Sequence, residues 1–163
     1  MVTFDMAAFL AGLNPEVPPS GARPLVVHAD ELQPLPAGEV HNPTSLSVAG
    51  NLPTATFELF RQTIPPRQSS DMQRHHHETV HFVIAGDGWS EIEDETVEWT
   101  DGSFVYTPPW TWHRHHNAST GRPVEFLTIE NSRLLGALGV NRRQSAGLVT
   151  VAEARAMFKG DPS

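Results

Sequence analysis

The sequence predicts an all-β protein, an antiparallel sandwich or small barrel with short flanking helices. After Leu52 the chain consists of short runs rich in β-branched and aromatic residues, the composition that strands favour. Turns containing Pro or Gly separate these runs, and no helical stretches alternate with them, so parallel βαβ units are not expected. The predicted strands cover residues 54–64, 79–85, 88–93, 96–99, 103–107 and 123–130.

The segments on either side of this strand-rich region differ from it. Thr3–Leu13 has apolar residues at roughly helical spacing, which predicts a short helix. Residues 15–53 contain eight of the 14 prolines, which favours an extended or irregular arm that wraps the domain or reaches a second subunit. Thr150 and Glu153 have the spacing of a capping box, so a helix is predicted from about 151 to 159. We divide the chain into an N-terminal arm (1–53), a barrel core (54–135) and a C-terminal segment (136–163).

Composition and charge exclude several classes of function. The chain has 163 residues, a length that fits one domain. It has no cysteine, which excludes disulfides, thiol catalysis and iron–sulfur ligation, so any metal must be bound by His or carboxylate. The formal net charge of −8 disfavours nucleic acid and anionic membranes as partners. Because the sequence has no long apolar window and its start lacks the basic residues of a signal peptide, we expect a cytoplasmic protein.

Histidines are concentrated in one part of the chain. Seven of the nine lie in a 42-residue window, at positions 75, 76, 77, 81, 113, 115 and 116. In an unbroken strand alternate side chains share a face, so His75, His77 and His81 would lie on one side. Neutral imidazoles are suitable ligands for Fe, Mn, Ni, Cu or Zn, and His113 is the best candidate for a ligand from another strand. The alternative is that the three consecutive histidines form a solvated surface run.

Two segments of this region resemble the motifs of the cupin superfamily. GSFVYTPPWTWHRHHN (residues 102–117) resembles the second cupin motif, with Trp110 in the place of the usual glycine. HHHETVHFVIAGDG (residues 75–88) resembles the first motif, with His81 at the position of the usual glutamate. The residues of both segments are most similar to those of gentisate 1,2-dioxygenases and related ring-cleaving cupins. Those enzymes usually have two cupin modules, whereas this chain has one.

This resemblance implies a single antiparallel cupin (jelly-roll) β-barrel, a homodimer and a metal centre. We favour His75, His77 and His113 as the metal ligands, with His81 as a fourth ligand or a substrate-facing residue. A gapless match running back from residues 82–86 would instead place Gln73 and His75 at the paired-histidine positions. Strand parity permits both registers, since all of these positions are odd.

The implied activity is Fe(II)-dependent oxidative cleavage of a small aromatic acid, similar to gentisate or salicylate, with O2 as co-substrate. Three neutral ligands leave the charge of a divalent ion uncancelled, which favours an anionic substrate that chelates the ion directly. One alternative is a cupin isomerase, lyase or hydrolase that uses Zn2+, Mn2+ or Ni2+. Another is a non-catalytic cupin that binds a small molecule.

Further residues are candidates for roles in catalysis or substrate binding. His81 and His115 are candidates for substrate, oxygen or proton handling. The candidates for recognition of a substrate carboxylate are Arg61, Arg74 and Arg114. Arg61 shares the parity of Phe57 and Leu59 and would point inward if they do; the alternative is a surface arginine beside a strand end. The aromatic side chains that could form the walls of a substrate pocket, or simply fill the core, are Trp110, Trp112, Phe82 and Trp89.

Overall fold

A computed structural model describes residues 24–35 and 42–160, which form two antiparallel sheets. The six-stranded sheet has the order β1 (Gln33–Leu35), β2 (Ser45–Val48), β3 (Glu58–Ile64), β10 (Val124–Glu130), β5 (Thr79–Ala85) and β8 (Phe104–Thr107). The five-stranded sheet has the order β11 (Arg143–Gly147), β4 (Met72–His75), β9 (His113–Asn117), β6 (Gly88–Ile92) and β7 (Glu95–Trp99). The all-β prediction is confirmed, and each of the six predicted strands is present.

The strands form because alternate residues can be buried between the sheets. In β5 the odd-numbered side chains from Thr79 to Val83 are buried, and in β9 the odd-numbered ones from His113 to Asn117 are buried. Histidines therefore occupy positions that would be apolar in an ordinary sheet. A face of this kind is stable only if the imidazoles find hydrogen-bond partners or a ligand.

The first histidine cluster is divided between the two sheets. β4 ends at His75 and β5 begins at Thr79, so the strand that sequence parity assumed to be unbroken is interrupted. His75 belongs to the five-stranded sheet and His81 to the six-stranded sheet. The two residues and His77 between them are nevertheless all buried, because both sheets direct these side chains into the space that separates them.

The predicted arm and C-terminal segment complete the same two sheets. β1 pairs with β2 and β2 with β3, while β11 pairs with β4. A 3-10 turn at Ala29–Glu31 precedes β1. The helix predicted at Thr3–Leu13 lies outside the described residues. The division of the chain at residues 53 and 135 stays a prediction, and strands from both flanks share sheets with the core.

Short helices follow β10 and β11. They are α1 (Ser132–Ala137) and α2 (Val151–Met157), and the second ends two residues before the predicted limit. Its predicted capping box is present, since Thr150 Oγ1 accepts the Glu153 amide at 3.3 Å and Glu153 Oε2 accepts the Thr150 amide at 2.8 Å. Within residues 24–35 and 42–160, no helix has the length and apolar character needed to cross a membrane.

Two apolar clusters stabilise the barrel, and Phe126 of the first one also contacts His81 and His115. One lies between the sheets and consists of Ile64, Val83, Trp99, Val105, Val124 and Phe126. The other joins the five-stranded sheet to α2 and consists of Met72, Trp112, Ala146 and Ala154, with Phe158 packed against it.

Backbone geometry bears on the residue type at two of the motif positions. A Cβ at Gly88 would overlap the carbonyl oxygen of His116 and the ring of Trp99, so only glycine fits there. Trp110 occupies the position of the usual motif glycine and has a φ of 57°, in the left-handed region that glycine adopts most easily. The Arg74 guanidinium lies 4.3 Å from the centre of the Trp110 ring, a cation–π contact that offsets part of this strain.

Candidate functional site

A cavity of about 180 Å³ opens between the two sheets. His75, His77 and His81 line it, with Thr79 and Thr128 beside them. Its apolar wall consists of Leu35, Leu46 and Phe60, and its other polar lining residues are Asn42, Gln62, Gln73, Glu130 and Arg143. Since β1 and β2 supply Leu35 and Leu46, the arm predicted to wrap the domain forms part of the cavity wall.

Five histidines lie close together at one side of this cavity. The ring centres of His75 and His113 are 4.7 Å apart, and those of His81 and His115 are 4.3 Å apart. The His113 and His115 rings are separated by 5.8 Å. The last two residues do not line the cavity but lie behind those that do, with each side chain about 1% exposed. The structure therefore brings together every histidine that the two motifs place at odd positions.

Hydrogen bonds fix the orientation of these rings. His75 Nδ1 donates to the carbonyl oxygen of His77 at 2.7 Å, and His113 Nδ1 donates to that of Thr111 at 2.9 Å. A carbonyl oxygen only accepts, so both rings must carry their proton on Nδ1 and leave the Nε2 lone pair free. This is the tautomer in which an imidazole binds a metal through Nε2.

His81 and His115 are anchored in a similar way by hydroxyl groups. His81 Nδ1 is 2.9 Å from Thr128 Oγ1, and His115 Nδ1 is 2.7 Å from Ser90 Oγ. The Nε2 atoms of His81, His113 and His115 are buried and have no hydrogen-bond partner among the described residues. Three buried ring nitrogens without a hydrogen-bond partner lower the stability of the fold unless a ligand or an ion contacts them.

Burial and mutual repulsion keep four of the imidazoles neutral. Burial, followed by the neighbouring histidines, lowers the pKa of His75 to about 2 and that of His81 to about 3. The pKa of His113 falls to about 3, and that of His115 lies well below its ordinary value, for the same reasons. The positive charge of Arg143 lowers the pKa of His75 and His113 further. Neutral imidazoles with free lone pairs are the form that binds a transition metal.

His77 differs from the other four. Its Nδ1 is 3.0 Å from Asn141 Oδ1, and its Nε2 is 3.3 Å from Glu130 Oε2. Burial acts to lower its pKa, but hydrogen bonding to Glu130 and Asn141 and the charge of Glu130 together raise it. Its ring also stacks on His75, with centres 3.7 Å apart and planes 8° apart.

The stacking of His77 on His75 limits how many of these rings can bind one ion in this arrangement. An imidazole lone pair lies in the plane of its ring, so two parallel stacked rings cannot direct their lone pairs at the same ion. Accordingly, no group of three His, Asp or Glu in the described parts of the chain could hold a metal with the side chains as they stand. The buried neutral imidazoles suit a divalent transition metal in chemistry, but His75 and His77 would have to separate before both could bind one ion.

The other predicted site residues lie outside the cavity. The expectation that Arg61 points inward is wrong, because the buried residues of β3 are Gln62 and Ile64, and Arg61 is exposed and pairs with Glu125 at 2.7 Å. Phe82 lies outside the cavity lining and packs on Phe104 with ring centres 4.9 Å apart.

The predicted aromatic walls are likewise elsewhere. Trp112 is in the core under α2, with its ring centre 5.4 Å from that of Phe158. Trp110 contacts His76, and Trp89 stacks on His116. These tryptophans pack around the ends of β4 and β9 and do not line the cavity. Aliphatic side chains and Phe60 form its apolar wall instead.

The two remaining arginine candidates are also engaged away from the cavity. Arg74 donates through Nε to Gln144 Oε1 at 2.7 Å, and its guanidinium lies over the Trp110 and Trp112 rings. Arg114 donates to both carboxylate oxygens of Glu91, at 3.2 and 2.9 Å. Arg143, which sequence reasoning missed, is the arginine that lines the cavity among residues 24–35 and 42–160.

Gln73 also lines the cavity, but as the partner of an arginine. Its Cα pairs with that of His113 across β4 and β9, and its Oε1 accepts hydrogen bonds from Arg143. The Gln73 amide oxygen is therefore already occupied by hydrogen bonds from Arg143. This favours His75 and His77 over Gln73 and His75 as the paired ligands. The choice of ligands stays a prediction.

Comparison with known proteins agrees with this fold and these motifs. The sequence profile of the family described as "Cupin domain" matches residues 60–130. The chain carries a cupin domain. Among curated relatives, the 5-aminosalicylate 1,2-dioxygenase of Comamonas sp. is 28% identical over 100 residues, which are 61% of this chain and 26% of that protein. This cupin spans about a quarter of the length of the curated relatives it matches first.

Solved structures show the same fold. The salicylate 1,2-dioxygenase of Pseudaminobacter salicylatoxidans superposes with a TM-score of 0.56 and 19% identity, covering 85% of this chain and 36% of that one. A cupin-2 domain protein from Rhodospirillum rubrum gives a TM-score of 0.58 and 20% identity, covering 85% and 88% of the two chains. The predicted cupin barrel and the resemblance to ring-cleaving dioxygenases are both confirmed.

Proposed function

We propose that this cupin is a metal-dependent dioxygenase that cleaves the ring of a small aromatic acid with O2. The observation that carries the proposal is the cluster of buried, neutral imidazoles beside the cavity, anchored through Nδ1 and including three unpartnered Nε2 atoms. A curated relative named as a dioxygenase of an aminosalicylate supports the same reaction class.

His75, His77 and His113 would hold the metal, with His81 as a fourth ligand or a residue facing the substrate. Fe(II) is the metal that suits the reaction, because it supplies electron transfer between a chelating aromatic acid and O2. Zn2+, Mn2+ or Ni2+ in the same ligand set would instead support the isomerase, lyase or hydrolase alternative. His115 packs behind His81 and positions that ring, with its own Nδ1 tied to Ser90.

The cavity has the size and lining expected for a single aromatic ring. An apolar cavity of about 150 Å³ is enough to bind benzene, so about 180 Å³ accommodates one ring with small substituents. Leu35, Leu46 and Phe60 would contact the ring and exclude water, while other parts of the lining present imidazole and hydroxyl groups. A bicyclic substrate would require the cavity to expand.

Metal content tests the ligand assignment. Protein purified without oxygen should contain about one divalent metal per chain, and His113→Ala should remove it, because an imidazole ligand is lost. His76→Ala is the matched control, since His76 belongs to the same run but bonds the Val140 carbonyl and packs against Trp110 outside the cavity. Full metal in His113→Ala would contradict the assignment. Loss of metal in Gln73→Ala with retention in His77→Ala would favour the other register.

Oxygen uptake tests the reaction. The Fe(II)-loaded protein should consume one O2 per substrate with at least one hydroxybenzoate of a panel, and ¹⁸O2 should place both labelled atoms in the ring-opened product. A metal-containing protein that consumes no oxygen with the panel would favour a non-oxidative cupin enzyme. A protein without stoichiometric metal would favour the small-molecule-binding module.

A further inference from the structure

Two buried amide side chains in the cavity wall are joined by a threonine. Asn42 and Gln62 both line the cavity, and each residue is only 3% exposed. Thr44, which is 2% exposed, forms a hydrogen bond with each of them through Oγ1. We call these three residues the amide end of the cavity.

The hydrogen bonds of the amide end fix which atom each amide presents to the cavity. The backbone amide of Thr44 donates to Asn42 Oδ1 at 3.0 Å, and of the two amide atoms only the oxygen can accept this bond. The Thr44 hydroxyl therefore donates to the same oxygen, at 2.7 Å, and only its lone pairs remain for Gln62. Gln62 must supply a donor, and its Nε2 lies 2.8 Å from Thr44 Oγ1. One backbone N–H thus sets the orientation of both amides.

This orientation leaves one donor group and one acceptor atom unused. Among residues 24–35 and 42–160, neither the Nδ2 amino group of Asn42 nor the Oε1 atom of Gln62 has a hydrogen-bond partner. Neither atom is completely enclosed by protein, so both open into the cavity that their side chains line. Buried polar groups without a partner are unfavourable, and a water molecule or a ligand must therefore satisfy this pair.

The amide end lies at a distance from His81 that one substituted ring can span. In the six-stranded sheet Phe60 pairs with Thr128, and Thr128 pairs with His81, so these residues form a row across three strands. Gln62 is two residues further along β3, which places its Cα about 10 Å across and 7 Å along the sheet from that of His81. The two side chains extend into this gap from opposite ends. A ring between them can carry one substituent at the imidazoles and another at the amide end.

The chemistry of the unused atoms indicates which substituent fits. A hydroxyl group can accept from the Asn42 amino group and donate to the Gln62 oxygen. An ionised carboxylate only accepts, so it would face the Gln62 oxygen without a proton to share. A site that hydrogen-bonds a substrate hydroxyl rejects the analogue that lacks it, because the polar groups of the site then stay unpaired.

We propose that the amide end binds a hydroxyl group that the substrate ring carries away from the imidazoles, and that it selects hydroxylated rings over unsubstituted ones. This inference rests on the proposed function for the aromatic acid, and on Asn42 and Gln62 for the hydroxyl. Gln62 is then a specificity-determining residue of β3, on the opposite face of that strand from Arg61.

Binding of acids with and without a second hydroxyl tests the proposal without turnover. Isothermal titration under argon compares salicylate with the dihydroxybenzoates that add one hydroxyl to it. Two hydrogen bonds should make wild type bind at least one of these about 10- to 100-fold more tightly than salicylate. Gln62→Met removes the amide at similar length, so the preference should fall to about threefold or less while salicylate binding changes by less than about threefold. Gln68→Met makes the same change at an exposed position and should keep the preference.

Thr44→Val tests the orientation of the amides separately. It keeps both amide side chains and the Thr44 backbone bond to Asn42, but removes the oxygen that holds Gln62. Gln62 can then turn, so the preference for the second hydroxyl should lie between those of wild type and Gln62→Met. This variant also tests the proposal if Gln62→Met does not fold, and an unchanged preference would then contradict it.

Each other outcome has a defined meaning. A water molecule that fully satisfies both amides would leave wild type with no preference for any second hydroxyl, which would overturn the proposal. A preference that survives in Gln62→Met, or equal losses for salicylate and the dihydroxybenzoate, would also overturn it. A preference that depends on Gln62 without oxygen uptake would refute the dioxygenase function and leave the amide end standing. Oxygen uptake with no hydroxyl preference would do the reverse.

Discussion

Mild acid should destabilise the metal-free protein strongly, because the buried imidazoles resist protonation. The pKa of His75 is lowered to about 2 and those of His81 and His113 to about 3, whereas an unfolded histidine has its ordinary value near 6.5. Below about pH 6.5 the unfolded state therefore binds protons that the folded state does not. Stability is fully present above that pH and is lost as the pH falls toward 3.

The size of the effect follows from the same shifts. Integrating the proton difference for one such histidine between pH 7 and 5.5 gives about 1.2 kcal/mol, so the three together give roughly 4 kcal/mol. His115 acts in the same direction, and His77, whose pKa is raised, acts against them. Carboxylates contribute little in this window because their ordinary pKa lies near 4.

Urea denaturation of chelator-treated protein at pH 7.0, 6.25 and 5.5 measures this dependence. At an m-value of about 2 kcal/mol per molar, the midpoint should fall by about 1–2 M over the range. His81→Gln should reduce the slope by about one third. Thr79→Val is the control, since it removes a buried cavity hydroxyl without removing a titrating group. A midpoint that stays constant from pH 7 to 5.5 would show that the folded cluster takes up protons and would refute this account of the neutral site.

Two further predictions concern local structure. Thr150→Ala should lower the free energy of unfolding by about 1 kcal/mol through loss of the α2 cap, and an unchanged value by urea denaturation would show that the capping bonds add nothing. Trp110→Gly should be more stable than Trp110→Ala by about 1 kcal/mol, because both lose the contact with Arg74 but only glycine relieves the positive φ; the reverse order in thermal unfolding would contradict the strain argument.

The strands that sequence could predict are those whose residues favour strands by themselves. The run 79–85 is rich in β-branched residues, and its boundaries agree with β5. β9 and β11 have the sequences HRHHN and RQSAG, which carry no such preference. They are strands because β9 pairs with β6 and β11 pairs with β4, and pairing between distant segments is not visible in local composition.

Prediction of the candidate site from sequence is limited in the same way, by contacts between distant segments. Motif spacing identified the five clustered histidines, because the spacing is set by short stretches of chain on either side of tight turns. Arg143 could not be found in this way, since its place beside His75 depends on a strand pair separated by more than sixty residues. Strand alternation also gave the wrong direction for the Arg61 side chain. Phe57, which was used to define the inward face of β3, is 40% exposed.

The electrostatics of the cavity also show why net charge is a poor guide to small ligands. The chain has a formal net charge of −8, which by itself repels anions. Charges on the far side of the barrel are screened over about 8 Å at physiological ionic strength, so a ligand inside the cavity responds mainly to the groups that line it. Those groups include the neutral His75 and His81, the His77–Glu130 pair, and Arg143 with its buried partner Asp71. A divalent ion on neutral ligands would keep its charge inside the cavity. Net charge therefore argues against polyanions such as nucleic acid, whereas binding of a small acid depends on the groups and any ion inside the cavity.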